Sequence, residues 1–383
     1  MITQLILENL ERTPDYHKFA DLLATQSYQA VLRTWQARRG EISLVKSLVN
    51  SLDNQQETFS FRLFDRLYSQ IDVKTRSRFI HNVRTDGTEH TPPSLGSQVK
   101  FKFQGKEMQR ELGDMIVVSG IYWQEWWLLL RIAIIQNKVS RGPRFGSIHV
   151  DQKQLYLLCN LPPMIGVNGF ISPNQEITFW SWTGALALYG IFYQPGDMLL
   201  ISARNLAEFL SAQHQIPFKK LNLPDLNSHT ARKRFELPFQ MISNLRIFSP
   251  IVKTLLELAR RIDREACRHL EDWLQYHYPY NLPFYSFMEQ LSQRLFCRDL
   301  ASFIHALIRG EIGEDIVHLG TVINPILSSL ASSILQELGI EGPSIDDKNQ
   351  ENIPSSKTWN YEFRDKTLGL AAVIGRLNIE DEG

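Results

Sequence analysis

The sequence predicts an α/β protein in which a sheet-forming segment lies between helical regions at either end, and three observations carry that expectation. Apolar residues recur at three- and four-residue intervals through residues 1–90 and again through 225–340, the rhythm of one-sided helices. Between 97 and 215 the pattern changes: Val99, Phe101 and Phe103 alternate with Lys100 and Lys102, as in a half-buried strand. Two Ile- and Val-rich runs follow, 112–119 and 126–137, joined by a connection too short for a parallel crossover. Glycine- and proline-bearing stretches near 85–96 and 217–224 divide these segments, and 341–383 reads as a linker and tail.

Composition narrows the class. A chain of 383 residues with 43% hydrophobic and 21% charged residues is long enough for a sizeable core and too apolar for disorder. Lys plus Arg and Asp plus Glu both number 41, so net charge nominates no polyanionic partner. Cys159, Cys267 and Cys297 are far apart and form no Cys-x-x-Cys, which argues against a disulfide framework or a structural zinc site and for a reducing interior. The N-terminus carries acids where a signal peptide has a basic head, and the longest apolar run, 126–135, is broken by Arg131 and short for a spanning helix. A cytoplasmic protein without a membrane anchor is expected.

Within the first segment, Val31, Leu32 and Trp35, then Leu44, Val45, Leu48 and Val49, mark helices, and Phe59, Leu63, Leu67 and Ile71 at intervals of four extend the helical reading. Arg62, Arg66, Lys74, Arg76 and Arg78 lie on or near this last element. They could touch phosphates, although the interleaved Asp65 and Asp72 favour a solvated face. In the middle segment the two apolar runs make an antiparallel hairpin, with Asp114 at the head of the first strand and Gln136 and Lys138 on one face at the tail of the second. Residues 179–202 supply further strands, with Trp180 and Trp182 expected in the core. In the third segment, stripes at Ile251–Ala266, Phe287–Leu307 and Ile323–Leu338 predict helices.

Asp114, Gln136, Asn137 and Lys138 form the candidate site. A hard divalent cation takes oxygen ligands, here the Asp114 carboxylate, the Gln136 side-chain carbonyl and the Asn137 backbone carbonyl. Lys138 would hold the attacking water and offset phosphate charge. Taken singly, a Gly-Asp pair at a strand start is a turn element and Gln-x-Lys at a strand end a surface pair; their joint placement on one hairpin points to chemistry. No Walker loop, Rossmann glycine pattern, His-Glu-x-x-His or Gly-x-Ser-x-Gly motif is present.

Asp114 followed by Gln136-Asn137-Lys138 resembles the PD-(D/E)xK nuclease superfamily, in the form where Gln replaces the second acid, similar to Mrr-type restriction enzymes and some archaeal junction resolvases. Gln152-x-x-x-Tyr156 resembles the Gln-x-x-x-Tyr element that follows the lysine motif in RecB-type exonucleases. The likeness covers residues 97–200. It implies a restriction-endonuclease-like mixed sheet core and hydrolysis of phosphodiester bonds with Mg2+ or Mn2+. The substrate implied is DNA before RNA, in restriction, repair or defence against mobile elements. It further implies catalytic roles for Asp114, Gln136, Lys138 and Glu111, and substrate contacts for Arg141, Arg144, Gln152 and Tyr156. The family's extra acid sits on a helix before the first motif strand. Glu111 or Glu107 is the candidate here, although Glu111 would face away from Asp114 if both lay on one strand. The alternative is a nuclease-like fold without catalysis, or a helical scaffold binding nucleic acid or protein partners through its flanking helices.

Overall fold

The computed structural model describes residues 2–64, 67–80, 97–140, 147–148, 150–179, 181, 184–193, 196–212, 221–222, 296–297, 299–318, 321–344, 361 and 368–381. The chain opens with three helices, α1 (Ile2–Glu11), α2 (Pro14–Gln36) and α3 (Glu41–Ser51). Pro14 starts α2, where its missing N–H leaves no bond unmade, and Gly40 caps α3 with Glu41 as its first residue. One stripe of each is buried: Tyr16, Phe19, Leu23 and Val31 on α2, and Leu44, Val45, Leu48 and Val49 on α3.

The next segment departs from the expected helix. Two strands, β1 (Gln55–Phe64) and β2 (Leu67–Ile80), pair antiparallel there. A four-residue interval is also a multiple of two, so it suits one face of a strand as well as a helix. The neighbours decide: Phe59 with Phe61, and Ile71 with Val73, are buried as alternate residues.

The middle segment holds β3 (Ser97–Phe103), β4 (Lys106–Gly113), β5 (Met115–Trp123), β6 (Trp126–Val139), β7 (Ser147–Ile148), α4 (Gln152–Asn160), β8 (Met164–Asn168), β9 (Glu176–Ile177), β10 (Ala187–Tyr193), β11 (Asp197–Ser202) and α5 (Ala203–Ala212). Beyond it come β12 (Leu221–Asn222), β13 (Phe296–Cys297), α6 (Leu300–Ile308), β14 (Glu314–His318), β15 (Thr321–Val322), α7 (Pro325–Glu337) and β16 (Leu368–Asp381). Asp299 caps α6 in a reciprocal box with Ser302, and Asn324 caps α7 ahead of Pro325. The expected helix at Ile323–Leu338 and the Leu300–Leu307 stripe are therefore present. The Ile251–Ala266 stripe, the Phe287–Leu295 part of its successor, Trp180, Trp182 and the 85–96 linker lie outside the described residues.

The fold is mixed α/β. Its main sheet has ten strands among the described residues, running β1-β2-β16-β5-β6-β10-β11-β13, with β14 and β15 joined along the first half of β6. β5 and β6 are the expected antiparallel hairpin, β10 lies parallel to β6, and β16 lies parallel to β5 and antiparallel to β2. The C-terminal stretch read as a tail is thus an interior strand. Its run Leu370-Ala371-Ala372-Val373-Ile374 is buried, the continuous apolar pattern of a strand covered on both faces. The strand partners come from all parts of the chain, so the boundaries expected near 90 and 341 do not separate sheets.

Two layers cover the main sheet. α1, α2, α3 and α6 pack on the face bearing Met115, Val117, Ala133, Ile135 and Val373. α4, α5, α7 and the small sheet β4-β3-β8-β9 pack on the face bearing Ile116, Val118, Ile132, Ile134 and Ala372. Among the described residues no helix is long and apolar enough to cross a membrane.

Candidate functional site

The site lies where β4 of the small sheet bends into β5 of the main sheet. Gly113 precedes the bend because the chain there runs hard against β6: a Cβ at this position would meet Ile134 Cγ2 at 2.5 Å and the Ile135 carbonyl oxygen at 3.3 Å. Asp114 is then pinned from both sides. Its N–H donates to the Ile135 carbonyl (3.1 Å) and its own carbonyl accepts from Gly369 N–H on β16 (2.9 Å).

Opposite Asp114, at the end of β6, Gln136 and Asn137 are fully buried. The Asp114 carboxylate accepts from Gln136 Nε2 (3.0 Å), from Asn137 N–H (3.1 Å to each oxygen) and from Asn137 Nδ2. Convergence of the acid and the Gln-x-Lys end of the hairpin is what the register of Met115 with Ile135 produces. Glu111 joins them. Asp114 lies in the bend itself, past the end of the β4 strand that carries Glu111, so alternation along one strand no longer sends their side chains apart. Gln136 Nε2 reaches Glu111 Oε2 at 3.3 Å and so bridges the two carboxylates.

Helix α4 sets the orientation of that bridge. Asp151 caps the helix by accepting from Lys153 N–H (2.8 Å) and Gln154 N–H (3.0 Å), and Arg110 on β4 pairs with Asp151 at 3.2 Å. The cap presents Gln154, whose Nε2 donates to Gln136 Oε1 (2.7 Å) and to the Glu111 carbonyl (3.1 Å). A carbonyl can only accept, so the Gln154 amide must turn its nitrogen inward, and this in turn fixes Gln136 with its oxygen on Gln154 and its nitrogen on the acids. The Gln136 oxygen expected to serve a metal is therefore engaged elsewhere, and the Asn137 carbonyl also accepts from Gln136 Nε2 (3.3 Å). Replacing Gln154 by Leu should leave Gln136 Oε1 and the Glu111 carbonyl without donors and cost about 1–3 kcal/mol. Urea unfolding checks this.

A third acid arrives from a distance in sequence. Glu41, the first residue of α3, stands 3.7 Å from Lys138 Nζ and hydrogen-bonds Asp114 as the proton donor. Burial pushes its pKa up to about 8, reinforced by the charges of Asp114 and Glu111 and opposed by Lys138. Burial likewise pushes Glu111 up to about 7, with Asp114 adding to it and Lys138 and Gln136 opposing. Asp114 is raised by burial against the pull of Lys138 and its hydrogen bonds. Three carboxyl groups thus feel the charge of one lysine, which stands 3.7 Å from Glu41, and Glu111 Oε1 is buried with no hydrogen-bond partner among the described residues.

The other expected residues fall elsewhere. Gln152 is exposed on α4, two residues and so about 200° round the helix from the inward-facing Gln154, and Tyr156 packs on Phe103 (5.0 Å between ring centres, edge-on) and Phe101 (6.3 Å, stacked). Glu107 is exposed and pairs with Lys100 at 3.3 Å, so it takes no part in the site. Arg141 and Arg144 lie outside the described residues. Asn137 Oδ1 is buried without a hydrogen-bond partner among the described residues and lies against β10, where a Cβ on Gly190 would clash with it. Gly190→Ala should displace the Asn137 side chain from Asp114 and destabilise the protein by about 1–3 kcal/mol. A melting curve of the variant tests that.

Sequence reasoning missed Glu41 and Gln154. Glu41 carries the ordinary signal of an acid in a helix's first turn, and only the family's helix-borne acid pointed to the N-terminal region at all. Gln154 sits two residues into the same helix as Gln152, and the Asp151 cap is the signal for its phase.

The donor chemistry fits a hard divalent cation: carboxylate oxygens in excess of cations, one of them buried and unpaired. Asp114, Glu111 and Glu41 would be the residues to hold it. As the side chains stand, no three His, Cys, Asp or Glu among the described residues form a ready metal-holding group, and the Gln136 amide bridges two of the acids instead. Compared with known proteins, the chain matches no family model, no curated protein and no solved structure.

Proposed function

We propose that this protein is a metal-dependent nuclease that hydrolyses phosphodiester bonds in DNA. The observation that carries the reading is the gathering of Asp114, Glu111 and Glu41 around Lys138 at the end of an antiparallel hairpin. The order of parts supports the family resemblance: a helix bearing an acid, the β5–β6 hairpin, helix α4, then β10 parallel to β6. Glu41 on α3 occupies the role of the helix-borne acid, a better match than Glu107 or Glu111.

Bound Mg2+ or Mn2+ would supply Lewis-acid activation of water and neutralise phosphate charge. Asp114, Glu111 and Glu41 would hold the ion, with the Gln136 amide that bridges the first two giving way to it. Lys138, 3.7 Å from Glu41, would orient the attacking water, and its charge would meet the phosphate. Gln136 and Gln154 act behind them, keeping Glu111 and Asp114 aimed at one point.

One observation favours a second reading. Gln136 already satisfies both carboxylates, and Lys138 is already beside Glu41, so the cluster is self-consistent as a structural polar network in a nuclease-like fold that binds partners without cleaving them. The test is incubation of double-stranded DNA, single-stranded DNA and RNA with wild type, Asp114→Ala and Lys138→Ala, with Mg2+, Mn2+ or EDTA. Metal-dependent cleavage by wild type alone is expected. Equal residual cleavage in all three proteins excludes the site, and binding without cleavage at any metal concentration favours the second reading.

A further inference from the structure

The basic residues of 62–78 acquire a new geometry once this segment is a strand. On β2, Lys74, Arg76 and Arg78 stand at alternate positions, so all three project from one face of the sheet while Val73, Thr75 and Ser77 project from the other into the core. Helix α7 covers only part of that face. Arg78 pairs with Glu337 on α7 at 2.7 Å. Past the end of α7 the sheet is open, and a cavity of about 250 Å³ lies there, walled by β2, β16, the far end of β5 and residues 339–341.

Its lining divides by chemistry. Lys74, Arg76 and Arg376 bring three cations, and Lys74 and Arg376 form no ion pair within 4.0 Å among the described residues. Arg76 is held by the Asn54 side chain. The Tyr122 ring, set edge-on against Trp127, joins Ile340 and Ile374 as an apolar wall. Two acids complete the lining. Asp72 is already occupied, accepting from Thr58 Oγ1 (2.7 Å) and Asn378 Nδ2 (3.3 Å), whereas Glu341 is exposed at the rim with its carboxylate available to hydroxyl donors.

Unpaired cations ask for a phosphate, a flat apolar wall suits a ring, and a rim carboxylate accepts from sugar hydroxyls. We propose that this cavity is a nucleotide-binding site, taking the phosphate on Lys74 and Arg376, the base against Tyr122, Ile340 and Ile374, and the ribose hydroxyls on Glu341. Its volume suits one nucleotide rather than a dinucleotide cofactor. The inference does not rest on the nuclease reading. Tyr122 is at the opposite end of β5 from Asp114, about eight residues or about 26 Å along the strand, so the two sites are separate. The same chemistry could be presented by a free nucleotide or by the terminal nucleotide of an RNA strand.

Calorimetric titration of the full-length protein with adenosine 5′-monophosphate, adenosine and inorganic phosphate tests the assignment. Expected is a Kd for the nucleotide below about 1 mM, at least about tenfold tighter than either fragment, and weakened at least about tenfold in Lys74→Gln/Arg376→Gln. Asp114→Ala should bind the nucleotide as wild type does. Lys74→Glu, a single change at an exposed position, repeats the measurement should the double variant lose its circular-dichroism spectrum. A 5′-phosphorylated oligoadenylate that displaces the nucleotide assigns a strand end as ligand, and failure to displace it assigns the free nucleotide. Absence of binding at about 5 mM, affinity for inorganic phosphate equal to that for the nucleotide, or an unchanged Kd in the folded variants would overturn the proposal.

Discussion

Asp114→Asn is expected to abolish metal-dependent cleavage, by about 10³-fold or more. The substitution preserves shape but removes charge from the carboxylate at the centre of the cluster. It also turns an acceptor into a donor where three N–H donors from Gln136 and Asn137 already converge. Stability should fall together with activity, because at least one of those donors loses its partner. Glu41→Gln separates the two effects. Glu41 is the proton donor toward Asp114, so the amide can still donate, while its charge no longer crowds Asp114 and Glu111. This variant should lose about 10²-fold or more in cleavage yet melt at or above the wild-type temperature at pH 8. Cleavage rates measured beside thermal melts decide it, and an active Glu41→Gln enzyme would remove α3 from the site.

The second large effect concerns pH in the absence of metal. The pKa of Glu41 is raised to about 8 and that of Glu111 to about 7, both chiefly by burial. A carboxyl whose folded pKa lies above its unfolded value binds its proton more tightly in the native state. Its contribution to stability is therefore complete below about pH 4.5 and is lost as pH rises through 7 and then 8. The melting temperature of protein in EDTA should fall by several degrees, on the order of 5 °C, between pH 5.5 and pH 8.5. Mg2+ or Mn2+ should restore it at the upper pH and do little at the lower, since an ion competes with protons for the same oxygens. A flat profile in EDTA, or equal stabilisation by metal at both values, would show that the acids do not share a charge-crowded site. Glu41→Gln should flatten the profile on its high-pH side.

The two readings of the cluster also differ in what Gln136 does. In a working site its amide yields to the ion; in a structural network it stays between Asp114 and Glu111 as it now stands. Gln136→Glu would add a fourth acid where the second family acid is expected, and it would meet Gln154 Nε2 as a good acceptor. Gain of cleavage in that variant would mean the neutral Gln136 had been limiting metal affinity.

What the sequence determined by itself was local and periodic. The hairpin of β5 and β6 was legible because two Ile- and Val-rich runs flank a short connection, while the register that sets Asp114 opposite Gln136 comes from the structure. The stripes of α3, α6 and α7 were legible from their three- and four-residue spacing. Tertiary structure decided everything that depended on partners remote in the chain. Phe59, Leu63, Leu67 and Ile71 carry a spacing that strand and helix share, and it is the pairing of β1 with β2 and of β2 with β16, burying alternate residues, that resolves it. β16 is 14 residues long, opens on a continuous apolar run with no alternation, and becomes an interior strand by pairing with β2 on one side and β5 on the other. The site divides in the same way. Asp114 and Lys138 follow from the hairpin, Glu111 from a bend that alternation along one strand does not foresee, and Glu41 from the packing of α3 over the sheet end, its contact with Lys138 spanning about 97 residues that no local pattern encodes.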